Sequence, residues 1–495
     1  MPEIWMRALS QVLEPNIFLI IMAGVLAGMV VGALPGLTAT MSVGILVGLT
    51  FGLHPLQGLS MLIGIYCGAI YGGSISAILI NIPGTPASAA SCADGYALSQ
   101  KGRAGPTLGL AAVLSFVGGT ISVVILVIFA PLIARVTLKF SPVEYTMLAL
   151  FGLSIIAYVS GKSLVKGLVS GLLGIFLKCW GIDPIYGYPR FTFGQTELVG
   201  GVEFIPVMIG AFGLAEVIFQ LKAKEYKIGI IQKITNVFPK LSVLRKQAFN
   251  VVRSAIIGTF VGALPGAGCD IAAWVAYGEA KRASKHSDKF GTGVIEGIAA
   301  PTTANNAATG GAMIPMLTLG IPGDSVTAIL IGALMIHGLR PGPLLFRQHP
   351  DLVYGLFIAM FLANLLFLIF GLAGARIFPK VIATPKNVLM PIIVVLCCVG
   401  SYAMRNSIFD IYVMFAFGII GYFMRRADFP VAPLVLGMIL GPIAESNMRR
   451  ALLISGGNPW VFFTRPISAT LLILIIIFLM SPYLRKFFPL GRQPK

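Results

Sequence analysis

Hydroxyl and amide side chains cluster around two Pro-Gly breaks in the apolar first half of the sequence. They are Thr38, Thr40 and Ser42 after Pro35 and Gly36, and Asn81, Thr85, Ser88 and Ser91 around Pro83 and Gly84. A helix that restarts after such a break exposes unpaired backbone N–H groups and the positive end of its dipole. Because Ser, Thr and Asn side chains extend this array of donors, the sequence predicts that the breaks bind an anion such as a carboxylate.

The second half carries the same chemistry with more polarity. The predicted substrate-binding residues there are Pro265, Gly266, Gly268, Asn305, Pro322, Gly323, Ser325 and Thr327. Two acids, Asp270 and Asp324, are ambiguous, because an acid beside an anion site repels the substrate unless it holds a cation or caps a helix. For Asp324, directly after a Pro-Gly pair, capping is the favoured interpretation.

Neutral side-chain oxygens in the same regions predict a cation site. The candidate ligands are Asn81, Thr303, Asn305 and Asn306. Together with unwound backbone carbonyls, they supply the oxygen ligands that Na⁺ requires. No well-placed carboxylate has to cycle its proton, so Na⁺ is expected as the coupling ion, with H⁺ as the alternative. The same side chains can instead satisfy backbone groups freed by the breaks.

The breaks occur twice because the sequence repeats itself. VGALPG at Val31–Gly36 returns at Val261–Gly266, an offset of 230, and INIPG at Ile80–Gly84 matches LGIPG at Leu319–Gly323, an offset of 239. Further matches are Gly102–Pro106 with Gly338–Pro343 and Ser141–Pro142 with Thr384–Pro385. One Pro-Gly break would favour a packing kink, whereas four related breaks favour a cavity. Repeated broken helices are typical of a transporter's binding site.

Composition places the chain in the membrane. It is 57% hydrophobic and 11% charged over 495 residues. Long apolar runs cover 17–34, 60–82, 107–134, 143–159, 353–375, 388–404 and 466–482. We expect an all-α polytopic membrane protein with about 12 transmembrane helices, some of them broken or re-entrant. Its two homologous halves are expected to be inverted repeats that work in an elevator-like manner.

Charge divides and orients the chain. We expect a first membrane repeat at 1–221, a basic cytoplasmic linker at 222–253, a second repeat at 254–465, and a final helix and basic tail at 466–495. The linker bases are Lys222, Lys224, Lys227, Lys233, Lys240, Arg245, Lys246 and Arg253, against the single acid Glu225. Basic loops stay in the cytoplasm, which also explains the net charge of +18 without a nucleic-acid partner. Inversion then places the amino terminus outside and leaves Arg449 and Arg450 on the outer side.

Other functional classes lack their residues. GAGCD at Gly266–Asp270 misses the intramembrane aspartyl-protease GxGD by one residue, and HExxH is absent, so no catalytic residue is predicted. The six cysteines form no CxxC, and no cofactor is expected. The sequence contains no GxxxxGK[ST] loop, so this chain alone is not a nucleotide-driven pump. An organic-anion channel or passive pore stays open as the alternative, because polar re-entrant breaks also build filters.

Long motifs carry a resemblance to a known family. GALPGAG, AYGEAKR, FGTG, EGIAAPTTANNAATGGAMIPMLTLGIPGDS and IHGLRPGP lie between Val261 and Phe346. YGGSISAILINIPGTPASAASCADGYALSQKGRAG covers Tyr71–Gly105. Both segments resemble the large membrane subunit of the tripartite tricarboxylate transporters, the TctA family, and the likeness spans nearly the whole chain.

This resemblance implies a multi-pass secondary transporter of the bacterial inner membrane. It implies two partners: a small four-helix membrane subunit (TctB-like) and a periplasmic solute-binding protein (TctC-like) that delivers carboxylates. A sodium or proton gradient usually drives import in this family. Citrate, smaller dicarboxylates and aromatic acids all present carboxylates to the same helix starts, so the preferred substrate stays open, as does the oligomeric state.

Overall fold

The computed structural model describes residues 2–159, 163–183, 185–222, 234 and 236–487. These residues are mostly helical, and their strands are only two residues long, which confirms the predicted all-α class. The helices of the first half are α1 (Pro2–Val12), α2 (Pro15–Ala33), α3 (Ala39–Leu46), α4 (Pro55–Ile80), α5 (Cys92–Leu98), α6 (Ala104–Thr137), α7 (Pro142–Val159), α8 (Leu164–Lys178), α9 (Phe204–Met208) and α10 (Ala215–Lys222). Those of the second half are α11 (Leu241–Gly262), α12 (Gly268–Ala283), α13 (Glu296–Leu319), α14 (Ser325–Ile336), α15 (Pro343–Gln348), α16 (Pro350–Ala373), α17 (Phe378–Ile382), α18 (Lys386–Tyr402), α19 (Ile408–Arg426), α20 (Ala432–Ile454), α21 (Val461–Thr464) and α22 (Pro466–Phe487).

Short segments of other types join these helices. The 3₁₀ turns are Val47–Thr50, Pro86–Ser91, Thr196–Leu198 and Ser287–Lys289, and the π-helical turns are Ser99–Arg103 and Ile209–Leu214. Between α8 and α9, the two-residue strands β1 (Gly181–Ile182) and β2 (Pro189–Arg190) pair antiparallel, with Gly181 opposite Arg190.

Six helical stretches of the described residues are long and apolar enough to cross a membrane. They are Pro15–Ala33, Pro55–Ile80, Pro86–Thr137, Phe204–Leu221, Pro350–Ala373 and Ile408–Arg426. Shorter apolar helices cover Ala39–Thr50, Ser325–Ile336, Asn387–Tyr402 and Pro466–Ile477. The chain is therefore a multi-pass membrane protein, and the count of about 12 spanning segments stays a prediction.

Glycines pack the first two long helices of each half closely together. A Cβ at these glycines would collide with the backbone carbonyl of the neighbouring helix, so only Gly allows the approach. The contacts are Gly28–Ile65 and Gly32–Ala69 between α2 and α4, and Gly258–Ala304 and Gly262–Ala308 between α11 and α13. Equivalent contacts are separated by the same 230 and 239 residues as the sequence motifs. The sequence repeat is therefore also a repeat of helix packing.

The order of these contacts gives the helix directions. From one contact to the next, the residue numbers increase on both α2 and α4, so these two helices run parallel. The short helix α3 returns the chain between them. The Pro-Gly break is thus the tip of a helical hairpin. Between the halves, Asn306 of α13 contacts Cys67 of α4, while Ile298 lies beside Ile78 at Gly95. The matching helices α4 and α13 therefore run in opposite directions.

The described part of the linker is more ordered than its charge suggests. Helix α11 begins at Leu241, so residues 241–253 of the predicted linker are helical and continuous with the first helix of the second repeat. The apolar face of this segment, including Val251, packs against α6 and α13, which explains the earlier start. Residues 223–233 and 235 lie outside the described residues.

Ion pairs neutralise Arg449, which the predicted orientation places unexpectedly on the outer side. Its Nη1 lies 2.8 Å from Asp183 Oδ2, in the segment that links α8 and α9, and 3.2 Å from Glu445 Oε1. Arg190 Nη1 approaches the same Glu445 oxygen at 2.7 Å. The guanidinium of Arg449 holds the pKa of the Asp183 carboxyl well below its usual range. The paired charge does not oppose an outer location.

Candidate functional site

A cavity of about 210 Å³ lies between the break loops of the two halves. From the first half it is lined by Thr38, Ala39, Thr40, Ile70, Thr85, Pro86 and Phe212. From the second half it is lined by Gly266, Ala267, Gly268, Cys269, Asp270, Asp324, Ser325, Val326 and Arg425. Loops that are far apart in the sequence thus meet around one polar space.

Six of the predicted substrate-binding residues line this cavity: Thr38, Thr40, Thr85, Gly266, Gly268 and Ser325. The remaining predicted residues lie in or behind the loops without lining it: Pro35, Gly36, Asn81, Pro83, Gly84, Ser88, Pro265, Asn305, Pro322, Gly323 and Thr327. Gly36 and Gly266 have φ of +90° and +83°, left-handed values that favour glycine, so they shape the loop turns.

The glycines of the second break in each half serve close packing. A Cβ on Gly84 would meet the carbonyl oxygen of Gly32, and a Cβ on Gly323 would meet Ala312 and the carbonyl oxygen of Gly262. The N–H of Gly266 donates to the carbonyl of Gly323 at 2.7 Å. These contacts hold the two break loops of one half against each other, so a side chain at either glycine would open the site.

The helix starts at the cavity are capped in different ways. Thr38 Oγ1 accepts from the N–H of Met41 at 3.1 Å at the start of α3. Asp324 Oδ1 accepts from the N–H of Thr327 at 2.8 Å, so Asp324 caps α14, in agreement with the favoured interpretation. Thr85 begins the 3₁₀ turn Pro86–Ser91, and its buried hydroxyl has no hydrogen-bond partner among the described residues. This hydroxyl packs against Gly73 of α4.

Positions that the repeat relates between the two halves line the cavity with different side-chain types. Thr40 and Asp270 are separated by the offset of 230, and Thr85 and Asp324 by the offset of 239. All four line the same cavity. The first half therefore presents neutral hydroxyls where the second half presents carboxylates. The sequence offsets could have revealed the pairs, but only the fold shows that they share one space.

Tyr66 was not singled out from the sequence. Its ring is fully buried in α4, and its hydroxyl donates to Asp324 Oδ2 across the interface between the halves. The same hydroxyl lies 3.3 Å from Cys269 Sγ. Asp324 is thus fixed from two sides, by its own helix start and by Tyr66.

The four predicted sodium ligands do not form one site. Asn81 ends α4 and is exposed, whereas Asn306 contacts Cys67 of the same helix. The length of helix from Cys67 to Asn81 is about 20 Å at 1.5 Å per residue. Thr303 packs at Gly118 of α6 and donates to Ala299 of its own helix at 2.7 Å. Because residues two apart on a helix point in nearly opposite directions, Thr303 is separated from Asn305.

Two of those ligands keep unpaired oxygens inside the protein. Asn305 Nδ2 donates to the carbonyl of Ala87 at 3.3 Å, and Asn306 Nδ2 donates to the carbonyl of Cys67 at 3.4 Å. Both Oδ1 atoms are buried and find no hydrogen-bond partner within the described ranges. A buried amide oxygen without a hydrogen-bond partner costs free energy, and a bound ligand would remove this cost. Asn305 and Asn306 are therefore the predicted cation ligands that the structure still supports.

Arg425 is the one basic side chain among the described residues that line the cavity. It forms an ion pair with Glu216 of α10, and Glu216 also accepts from Gln220 Nε2 at 2.8 Å. No sequence pattern indicates this role for Arg425, because an Arg at the end of an apolar helix resembles an ordinary membrane-boundary charge.

Comparison with known proteins decides the family. The family model described as tripartite tricarboxylate transporter TctA family matches residues 18–436. The chain belongs to this family. It is therefore a subunit of a tripartite tricarboxylate transporter, and the resemblance seen in the sequence is confirmed. TctA is a transporter family and not a family of enzymes, which agrees with the absence of a predicted catalytic residue.

Two relatives from Agrobacterium vitis are similar to this TctA chain. One, an uncharacterized 52.8 kDa protein in the TAR-I ttuC' 3'region, is 40% identical over 449 residues, covering 91% of this chain and 89% of the relative. The other, an uncharacterized protein in the TAR-II ttuC' 3'region, is 40% identical over 231 residues, covering 46% of this chain and 96% of the relative.

Proposed function

We propose that this TctA subunit imports carboxylates across the bacterial inner membrane, driven by a cation gradient. A small TctB-like membrane subunit and a TctC-like periplasmic binding protein that delivers the substrate are its proposed partners. The observation that carries the proposal is the cavity between the break loops, which three threonines and the helix starts of both halves line. Such donors suit an anionic guest.

The helix directions support alternating access by inverted repeats. The matching helices α4 and α13 run in opposite directions, as a pseudo-two-fold axis in the membrane plane requires. The cavity lies between elements of the two halves, so a movement of the hairpins relative to the other helices would expose it to one side at a time. We propose that this movement is elevator-like, with the amino terminus outside and the basic linker in the cytoplasm.

Na⁺ is the proposed coupling ion. The unpaired Oδ1 atoms of Asn305 and Asn306 are neutral oxygens in a buried setting, a type of ligand that hard cations accept. Asn305 lies against the turn Pro86–Ser91, directly beside the loop of Thr85. A cation bound there would favour a substrate anion in the adjacent cavity through charge attraction.

Uptake into proteoliposomes that contain both membrane subunits tests the proposal. Labelled citrate, succinate and benzoate would be supplied with the binding protein, under an imposed sodium gradient or an imposed pH gradient. We expect saturable uptake of at least one acid that needs the binding protein and follows sodium. Non-saturating flux without any gradient would favour the channel alternative, and uptake that follows only the pH gradient would replace Na⁺ by H⁺.

A further inference from the structure

We propose that Arg425 binds a carboxylate group of the transported anion, which replaces Glu216 as the partner of the guanidinium. This inference rests on the proposed function and assigns its main anion-binding residue. It goes beyond the break loops, which are the only substrate-binding segments that the sequence indicates.

The charges around the cavity limit where an anion can be held. Asp270 and Asp324 line the side formed by the second half, and a substrate carboxylate placed there is repelled. Asp324 already accepts hydrogen bonds from Tyr66 and Thr327, so it stays a fixed acceptor. The side formed by the first half offers neutral hydroxyls. Arg425 supplies the full positive charge that these hydroxyls lack.

The side-chain type of Arg425 suits this role. A guanidinium is planar, keeps its charge and can donate two parallel hydrogen bonds to one carboxylate. Arg425 is partly exposed, with 28% of its side chain accessible, whereas its partner Glu216 is 7% accessible. The guanidinium therefore lies at the boundary between the cavity and the buried acid, where a ligand can reach it.

Glu216 can release Arg425 without losing every hydrogen-bond partner. Gln220 Nε2 donates to Glu216 Oε1 at 2.8 Å, so the carboxylate keeps this donor after the exchange. The arriving substrate brings its own negative charge, so the guanidinium is never left unpaired. The exchange leaves the buried Glu216 carboxylate with the neutral donor Gln220 in place of its cation, a cost that the new pair between the substrate and Arg425 has to offset.

Arg425 also belongs to a different group of helices from the break loops. It lies on α19, which packs on the π-helical turn Ile209–Leu214 through the Gly421–Ala211 contact. Thr85 and Asp324 belong to loops that pack on α4 and on the α11–α13 pair. A carboxylate held between Thr85 and Arg425 would join the two groups, so substrate occupancy would affect their relative position.

Ligand-dependent thermal stabilisation of the purified full chain tests the inference. Citrate, succinate and benzoate are the probes, and the acid that stabilises the wild type most is titrated against the variants. We expect Arg425→Gln to weaken binding roughly 10- to 100-fold, the effect of losing a charged hydrogen-bonding pair. Arg425→Lys should recover only part, because an ammonium lacks the two-pronged geometry. The neighbour Arg426 is exposed and does not line the cavity, so Arg426→Gln is the matched control and should bind like the wild type.

A double variant separates a binding defect from misfolding. Arg425→Gln alone leaves Glu216 without its cation, whereas Arg425→Gln with Glu216→Gln keeps the charge balance. We expect the double variant to fold, as judged by a wild-type elution profile and helix content, and still to bind weakly. We expect Glu216→Gln alone to bind at least as tightly as the wild type, because Arg425 is released from its competitor.

The outcomes distinguish this inference from the proposed function. If the wild type is stabilised and the double variant binds equally well, Arg425 is not the anion-binding residue, while the proposed function stands. If none of the three acids stabilises the wild type or binds to it in a labelled-ligand assay, the proposed function and this inference are both wrong.

Discussion

Tyr66 of α4 donates a hydrogen bond to Asp324, the residue that caps α14, and so joins the two halves at their shared cavity. The contact fixes a carboxylate that would otherwise be free to move toward a bound ligand. Its position makes Tyr66 both a structural contact and a neighbour of the proposed site.

Removal of the Tyr66 hydroxyl should destabilise the protein and weaken substrate binding together. Tyr66→Phe leaves one lone-pair direction of Asp324 without its donor, at a cost of about 1.5–3 kcal/mol for a hydrogen bond to a charged group. Tyr71 on the same helix stacks on Phe367 at 5.2 Å, so Tyr71→Phe is the matched control. Thermal unfolding with and without citrate measures both effects. Equal behaviour of the two variants would show that the Tyr66–Asp324 contact has no special role.

The repeat-related pair Thr85 and Asp324 predicts an effect of charge. Thr85→Asp would add a third carboxylate to a cavity that Asp270 and Asp324 already line, so we expect it to abolish carboxylate binding through repulsion. Thr85→Ala removes one neutral donor and should cost on the order of 1 kcal/mol, or several-fold in affinity. Citrate titrations of the purified variants make the comparison. Binding by Thr85→Asp at wild-type affinity would place the anion away from this loop.

Asn305 and Thr303 of α13 allow a test of sodium coupling. Asn305→Ala removes a buried amide oxygen, and we expect it to raise the sodium concentration needed for half-maximal uptake about tenfold or more. The hydroxyl of Thr303 donates to the carbonyl of Ala299 in its own helix, so Thr303→Val should leave this sodium concentration unchanged. Sodium titration of uptake in proteoliposomes is the measurement. A sodium dependence altered by Thr303→Val but not by Asn305→Ala would contradict the assignment of the Asn305 amide oxygen as a sodium ligand.

Asp94 predicts a stability effect away from the cavity. Its buried carboxylate accepts from three backbone N–H groups of the loop 291–294 and from Tyr277 Oη at 3.0 Å. It therefore ties α5 of the first half to the loop before α13. Asp94→Asn should destabilise the protein by about 2 kcal/mol or more, since the charge strengthens several hydrogen bonds. The exposed Asp288 in the same region offers the control Asp288→Asn, which should unfold like the wild type.

Local sequence signals predicted the parts of the site that are local in structure. The pairs Pro35–Gly36 and Pro83–Gly84 predict helix breaks, because Pro lacks a backbone N–H donor and Gly permits a tight turn. The offsets between the halves also survive as contacts, as Gly32–Ala69 and its counterpart Gly262–Ala308 show. These features follow from a few adjacent residues, and the sequence therefore contains them.

Features that depend on which helix faces which were not predictable. Tyr66 lies in a uniformly apolar stretch, and Glu216 and Arg425 are far apart in the sequence, so nothing indicated their partners. Two of the predicted sodium ligands are separated for a related reason. Composition brought Thr303 and Asn305 together in one motif, but the helical period sends their side chains to different neighbours.

Protection of a cavity residue by substrate would show whether the cavity between the break loops holds the carboxylate. Ser325 lines the cavity, whereas Ser284 follows the end of α12 and does not line it, so each would be replaced by Cys in a variant without native cysteines. The measurement is the rate of maleimide labelling in membranes, with and without a saturating carboxylate that the transporter takes up. We expect the substrate to slow labelling of Ser325→Cys at least severalfold and to leave Ser284→Cys unaffected. Equal labelling rates of Ser325→Cys with and without that substrate would contradict the claim that the cavity between the break loops holds the carboxylate.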